Sequence, residues 1–126
     1  VHIDDADLKD VLEHPSIIRA GTRRSLFVEE SYGVERVEHS GNFSGAQSTY
    51  SYSLEIRPGS AIPVQNYGHE TALFLAEGSL TGIIGENVVL DANDGAVVAP
   101  GVQYGFSNEG GSLARLFVIH PVTNPV

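Results

Sequence analysis

Four side chains with hydrogen-bonding chemistry sit at set intervals in two stretches of the chain. The first stretch runs Gly59, five residues, Gln65, one residue, Tyr67, three residues, Thr71, six residues, Gly78. The second runs Asp94, then Pro100-Gly101-Val102-Gln103-Tyr104, three residues, Asn108. The amide of Gln65 and the hydroxyl of Thr71 can hold a carbonyl oxygen. The phenols of Tyr67 and Tyr104 can do the same, and can pass a proton where their pKa is lowered. None of the four is a good ligand for Fe, Mn, Ni or Zn, which favour imidazole, thiolate and carboxylate. A phenol must first lose its proton, near pH 10. His69 lies between Gly68 and Glu70 in an expected turn, where it is either an exposed polar residue or a general base at a pocket mouth, since His titrates in the right range. His120 ends the last expected strand before Pro121, as an edge residue or as a side chain reaching a ligand from the wall. A residual metal site from His69, Gln65 and Glu70 would need a rearranged turn.

The elements that must position these groups follow from composition and pattern. The chain has 126 residues and no Cys, so it is long enough for one domain and forms no disulfide. Residues 1–126 read as a single domain, with a helix and strand arm over 1–45 and the two motif blocks inside 50–120. No apolar run is long enough to span a membrane. The start, Val1-His2-Ile3-Asp4-Asp5, shows no basic region followed by an apolar stretch, and the expectation is a soluble cytoplasmic protein. A net charge of −9 argues against nucleic acid and anionic membranes as partners. Between Arg57 and Arg115 there is no Lys or Arg, while Glu70, Glu77, Glu86, Asp91, Asp94 and Glu109 lie there. An anionic ligand would need an Arg from outside that gap: Arg19, Arg23, Arg24, Arg36, Arg57 or Arg115. A neutral or weakly polar ligand is therefore expected.

Residues 4–14 read as a short helix, capped by Asp4 or Asp5, with Leu8, Val11 and Leu12 as its apolar stripe and Pro15 as its stop. Strand patterns follow at 25–29, 33–40, 48–57, 71–76, 79–84, 87–90, 96–99 and 113–119. The run Ser48–Arg57 alternates clearly, with Tyr50, Tyr52, Leu54 and Ile56 on one face. Gln65 and Tyr67, two apart, are read as sharing a strand face. Short strands between Gly, Asn and Asp turns indicate an all-β barrel or sandwich.

The two blocks resemble the cupin motifs, which read G-x5-H-x-H-x(3,4)-E-x6-G and G-D-x4-P-P-G-x2-H-x3-N. Glycines, prolines and spacers match in both at once, over roughly residues 50–120. Two smaller departures are Asn93 where the motif has Gly and Ala99 where it has the first Pro. Asn tolerates the left-handed conformation that turn requires. The resemblance implies a double-stranded β-helix (jelly-roll) barrel. In cupins the His, His, Glu and His of the motifs hold a divalent metal inside it. Carried across, those positions are Gln65, Tyr67, Thr71 and Tyr104, so no metal or other cofactor is expected, and the pocket should be apolar with these four at its polar centre.

Three readings follow from the resemblance. The first is a metal-free isomerase, epimerase or cyclase acting on a neutral carbonyl-containing, sugar-like or polyketide-like substrate. Tyr67, Tyr104 and His69 would be its catalytic groups, and Gln65, Thr71 and His120 would bind the ligand. No His-Asp pair or buried carboxylate is evident as a base. The second is a non-catalytic ligand sensor. The third is a dioxygenase or isomerase with atypical metal ligands. Cupins of this size commonly pair, so a homodimer is expected, through the Tyr50–Ile56 stripe or the Leu26–Val28 strand.

Overall fold

The computed structural model describes residues 24–27, 33–41, 45, 46 and 48–122. The helix expected over 4–14 lies outside these residues. All ten described elements are strands: β1 (Arg24–Phe27), β2 (Val34–Ser40), β3 (Tyr50–Ile56), β4 (Ala61–Gln65), β5 (Thr71–Glu77), β6 (Ser79–Ile84), β7 (Glu86–Asp91), β8 (Gly95–Val98), β9 (Tyr104–Ser107) and β10 (Ala114–His120). They form a six-stranded sheet in the order β1-β2-β3-β10-β5-β8 and a four-stranded sheet in the order β4-β9-β6-β7. Every pairing is antiparallel. A shared core fills the space between the sheets, with Ile56, Leu75, Leu80, Leu116 and Val118 among its buried side chains.

The inward rows explain where a site can form. On β3 the row runs Ile56, Leu54, Tyr52, Tyr50; on β10 it runs Ala114, Leu116, Val118, His120; on β5 it runs Leu75, Leu73, Thr71. The register sets Ile56 against Ala114, Leu54 against Leu116, Tyr52 against Val118 and Tyr50 against His120. It also sets Leu116 against Leu75 and Val118 against Leu73. Each row is aliphatic at one end and polar at the other, and the register aligns the polar ends. One end of the barrel is therefore a sealed hydrophobic core, and the other gathers phenols, imidazoles and a hydroxyl.

The turns show why the motif spacing specifies this fold. Gly59 N–H donates to the Asn108 carbonyl at 2.8 Å, and Gly101 N–H donates to the Tyr67 carbonyl at 2.8 Å, so each block is tied to the other through backbone. Gly78 has φ +79°, and a Cβ there would stand 2.7 Å from the Leu113 carbonyl oxygen, so only glycine fits. Asn93 takes φ +76°, alone among the described non-glycine residues, and fills the turn position expected of it. The Tyr50–Ile56 stripe is not an exposed pairing face. Tyr52, Leu54 and Ile56 are at most 3% exposed because that face of β3 closes the core.

Candidate functional site

Four of the chain's five tyrosines and two of its five histidines meet at the polar end of the barrel. β3 brings Tyr50 and Tyr52, β10 brings His120, β9 brings Tyr104, and the loop between β4 and β5 brings Tyr67 and His69. Several of their rings pack edge to face or tilted: Tyr67 against His120 at 4.7 Å, His69 against His120 at 5.1 Å, Tyr50 against Tyr52 at 5.0 Å and Tyr67 against Tyr104 at 6.3 Å between centroids, while Tyr67 stacks on His69 at 5.3 Å and Tyr50 on His120 at 6.0 Å. Thr71, at the start of β5, is buried beneath the same end.

A hydrogen-bond chain runs through the cluster. The Tyr52 hydroxyl lies 3.0 Å from His120 Nε2, and His120 Nδ1 lies 2.9 Å from His69 Nε2. Tyr67 donates its hydroxyl to Gln65 Oε1 at 2.9 Å. His120 has no solvent exposure, and its pKa falls from 6.5 to about 4 through burial, then through His69 and Arg36. It is neutral at pH 7, with one N–H and one lone pair. Two tautomeric settings satisfy the chain. In the first, Tyr52 donates to His120 Nε2, His120 Nδ1–H donates to His69 Nε2, and His69 carries its hydrogen on Nδ1. In the second, His69 Nε2–H donates to His120 Nδ1, His120 Nε2–H donates to Tyr52, and His69 Nδ1 holds a lone pair. The half-buried His69 thus presents either an N–H or a lone pair on Nδ1 according to the setting of its buried neighbour.

The phenols behind the histidines keep their protons. Burial raises the pKa of Tyr52, with Tyr104 and Tyr67 adding to it, and burial followed by Tyr67 raises that of Tyr104. Burial and a bond with Glu38 raise that of Tyr50. Tyr52 and Tyr104 are donors rather than bases at pH 7.

The expected site residues do converge, with differences in how they are held. Tyr67 does not share a strand with Gln65; β4 ends at Gln65 and Tyr67 lies in the loop, reaching back to the Gln65 amide. Gln65 bonds Tyr67, whereas Thr71 sits on the other sheet. His69 is no free turn residue and His120 no edge residue, because each holds the other. Glu77 is exposed at the end of β5 and accepts from Arg115.

Sequence reasoning missed Tyr52 as a site residue and did not place Arg36. Tyr50 and Tyr52 stood in a clear alternation, but alternation does not say which face is interior. Arg36, on β2, puts its guanidinium carbon 4.3 Å above the Tyr52 ring and donates from Nη1 to the Tyr50 hydroxyl at 3.4 Å. β2 is a strand outside the two motif blocks.

No protein-family model matches the chain. No curated protein matches it in sequence. Solved structures match it in fold. The polyketide cyclase RemF from Streptomyces resistomycificus is 16% identical with a TM-score of 0.76, over 87% of this chain and 80% of that one. An RmlC-like cupin from Shewanella frigidimarina is 16% identical with a TM-score of 0.70, over 85% of this chain and 91% of that one. A sugar phosphate isomerase of the cupin superfamily from Silicibacter pomeroyi is 14% identical with a TM-score of 0.71, over 85% of this chain and 76% of that one. The chain therefore has the small cupin barrel that the motif spacing implied.

The metal of metal-binding cupins does not suit the donors found here. The Gln65 oxygen already accepts from Tyr67, and Tyr104 holds its proton more firmly than a free phenol. The facing nitrogens of His69 and His120 are used on each other. Among the described residues no three His, Cys, Asp or Glu side chains come together.

Proposed function

We propose that this cupin barrel binds a small organic molecule and moves a proton next to its carbonyl group without a metal, as an isomerase, epimerase or cyclase. The observation that carries this reading is the Tyr52–His120–His69 chain. It supplies the base that the motif residues lack. With its lone pair on Nδ1, His69 takes a proton from the carbon beside the carbonyl. The C–H electron pair moves into the enolate, and the oxygen gains negative charge. The Tyr104 hydroxyl, which has no partner among the described residues, stabilises that oxygen as a donor in a site shielded from water. His120 resists protonation, so the proton stays on His69, which returns it to a neighbouring carbon or to an oxygen. Tyr52 never ionises; in this setting its oxygen accepts from His120 Nε2–H and holds the imidazole in position. One base on one side of the ligand fits isomerisation and ring closure most directly. That a polyketide cyclase and a sugar phosphate isomerase share the fold is consistent with this reading.

The test is deuterium exchange. The protein is incubated in D2O with a panel of aldoses, ketoses and poly-β-ketones, and binding is followed in parallel by thermal shift. Compounds that bind should gain deuterium beside the carbonyl. His69→Gln and His120→Gln should slow the exchange at least about 100-fold while binding persists. Binding with no exchange for any compound would instead support a non-catalytic ligand module.

A further inference from the structure

We infer that the ligand of this polar end presents an anionic oxygen, a carboxylate or the enolate formed in the reaction, to the guanidinium of Arg36, with Tyr104 donating to a second oxygen of the same ligand. The inference rests on the small-molecule reading above and deepens it.

Two buried donors at the polar end have no hydrogen-bond partner among the described residues: Arg36 Nε and the Tyr104 hydroxyl. Buried donors are rarely left so, and each one needs an account. Both belong to the same ring cluster. Arg36 lies across the face of Tyr52 at 4.3 Å, and Tyr104 packs on Tyr67 at 6.3 Å, which in turn meets His120 at 4.7 Å between ring centroids. Arg36 reaches Tyr50 only through Nη1, at a long 3.4 Å. Its Nε is one half of the edge that grips a carboxylate with two parallel bonds. The ion pairs formed among the described residues belong to Arg115, with Glu55 at 3.1 Å and Glu77 at 2.8 Å, and not to Arg36.

A half-buried cation is costly unless an anion meets it. Elsewhere the chain offers anions little. Its net charge is −9, and the stretch from 58 to 114 that builds most of the barrel holds no Lys or Arg. Arg115 is held by two carboxylates on the barrel exterior. A cation placed beside the histidine chain in so acidic a protein serves an anionic oxygen, whether a carboxylate that the ligand brings or the enolate formed from a neutral carbonyl compound.

The test compares matched acids and amides, benzoate against benzamide and pyruvate against pyruvamide, by calorimetry at pH 7. It uses the full chain and its Arg36→Gln and Arg36→Lys variants, with circular dichroism and amide binding as checks on folding. If the anion is a fixed carboxylate, the wild type binds the acids at least about tenfold more tightly than the amides. Arg36→Gln abolishes that ratio, and Arg36→Lys keeps part of it. If the anion is the enolate, acids and amides bind alike, but Arg36→Gln slows deuterium exchange at least about tenfold with binding unchanged. An unchanged acid-to-amide ratio together with unchanged exchange in Arg36→Gln overturns the inference and leaves the proposed function standing. Failure of the wild type to bind any member of either class or of the carbonyl panel overturns both.

Discussion

The chemistry of this site turns on His120 being neutral. Its neighbours act in one direction: core side chains desolvate it, while His69 and Arg36 oppose a positive charge on it. The unfolded chain has no such environment, so its imidazole titrates near 6.5 while the folded one titrates near 4. Between those values the unfolded state binds more protons than the folded state, and stability rises with pH. It is fully present above about pH 6.5, falls as the pH drops toward 4, and changes no further below that through this group. The gap corresponds to on the order of 3 kcal/mol. Urea unfolding measured from pH 4 to pH 8 should show this loss in the wild type, and His120→Gln should remove that part of the slope. Carboxylates titrate at the acid end in both proteins, so the difference between the two curves isolates the imidazole. Parallel curves would mean that His120 is not held neutral, and the acid–base setting of His69 would lose its support.

At the scale of the elements, the site depends on loops that the two motif blocks tie together. Asn108 is the knot. Its Nδ2 donates to the carbonyls of Ile56 and Ser112, each at 2.8 Å, and its Oδ1 accepts from Gly110 N–H at 3.0 Å. Asn108 is 1% exposed, so Asn108→Ala leaves the Ile56 carbonyl buried without its donor. The expected loss is about 2–3 kcal/mol in the urea midpoint. Asn108→Asp should do no better, since a carboxylate would face two carbonyl oxygens; a neutral outcome for either variant would remove Asn108 from this role. The same residues mark how far the sequence could be read. Positive-φ glycines, the Asn93 turn and Asn108 are local demands of backbone geometry, so their spacing carried the resemblance to the cupin motifs, and that resemblance implied the barrel. Alternation located β3, and parity identified which residues share its face. Neither could pair β10 with β3, a contact that brings together His120 and Tyr52, 68 residues apart. Periodicity reports faces, whereas strand neighbours are chosen by the whole fold. Arg36 was hidden for the same reason, being on a strand that joins the site only through the register of β2 with β3, which sets Arg36 against Leu54 and Glu38 against Tyr52.

At the scale of the whole molecule, the described surface of this acidic chain carries a row of exposed apolar side chains. On the outside of the six-stranded sheet, Phe74, Val97 and Ile119 are 43%, 63% and 47% exposed. They are contiguous across the strands. Phe74 lies against Phe117, Ile119 against Ala72, and Ala72 against Val97. His39 stacks on Phe117 at 5.4 Å and extends the face toward β2. A groove of about 430 Å³ beside it is lined by Ala72, Ile119 and Pro121 together with Ser48, Thr49 and Glu70. Since the Tyr50–Ile56 stripe is spent on the core, we propose that the expected homodimer pairs through this outer face, with a second copy of the chain as occupant. A two-fold contact sets the same patch against itself, so a modest row of aliphatic and aromatic side chains doubles its buried area. Stable pairs usually bury about 800 Å² on each partner. Sedimentation equilibrium at 1–50 micromolar, a range set on the order of ordinary dimer affinities, should give a dimer. Phe74→Glu combined with Ile119→Glu should give a monomer of unchanged circular dichroism, because both side chains point away from the core and from the histidine chain. Deuterium exchange should survive in that monomer, as every group assigned to the chemistry comes from one copy. A wild-type monomer throughout the range would refute the pairing, and a dimer that persists in the double variant would move it to another face.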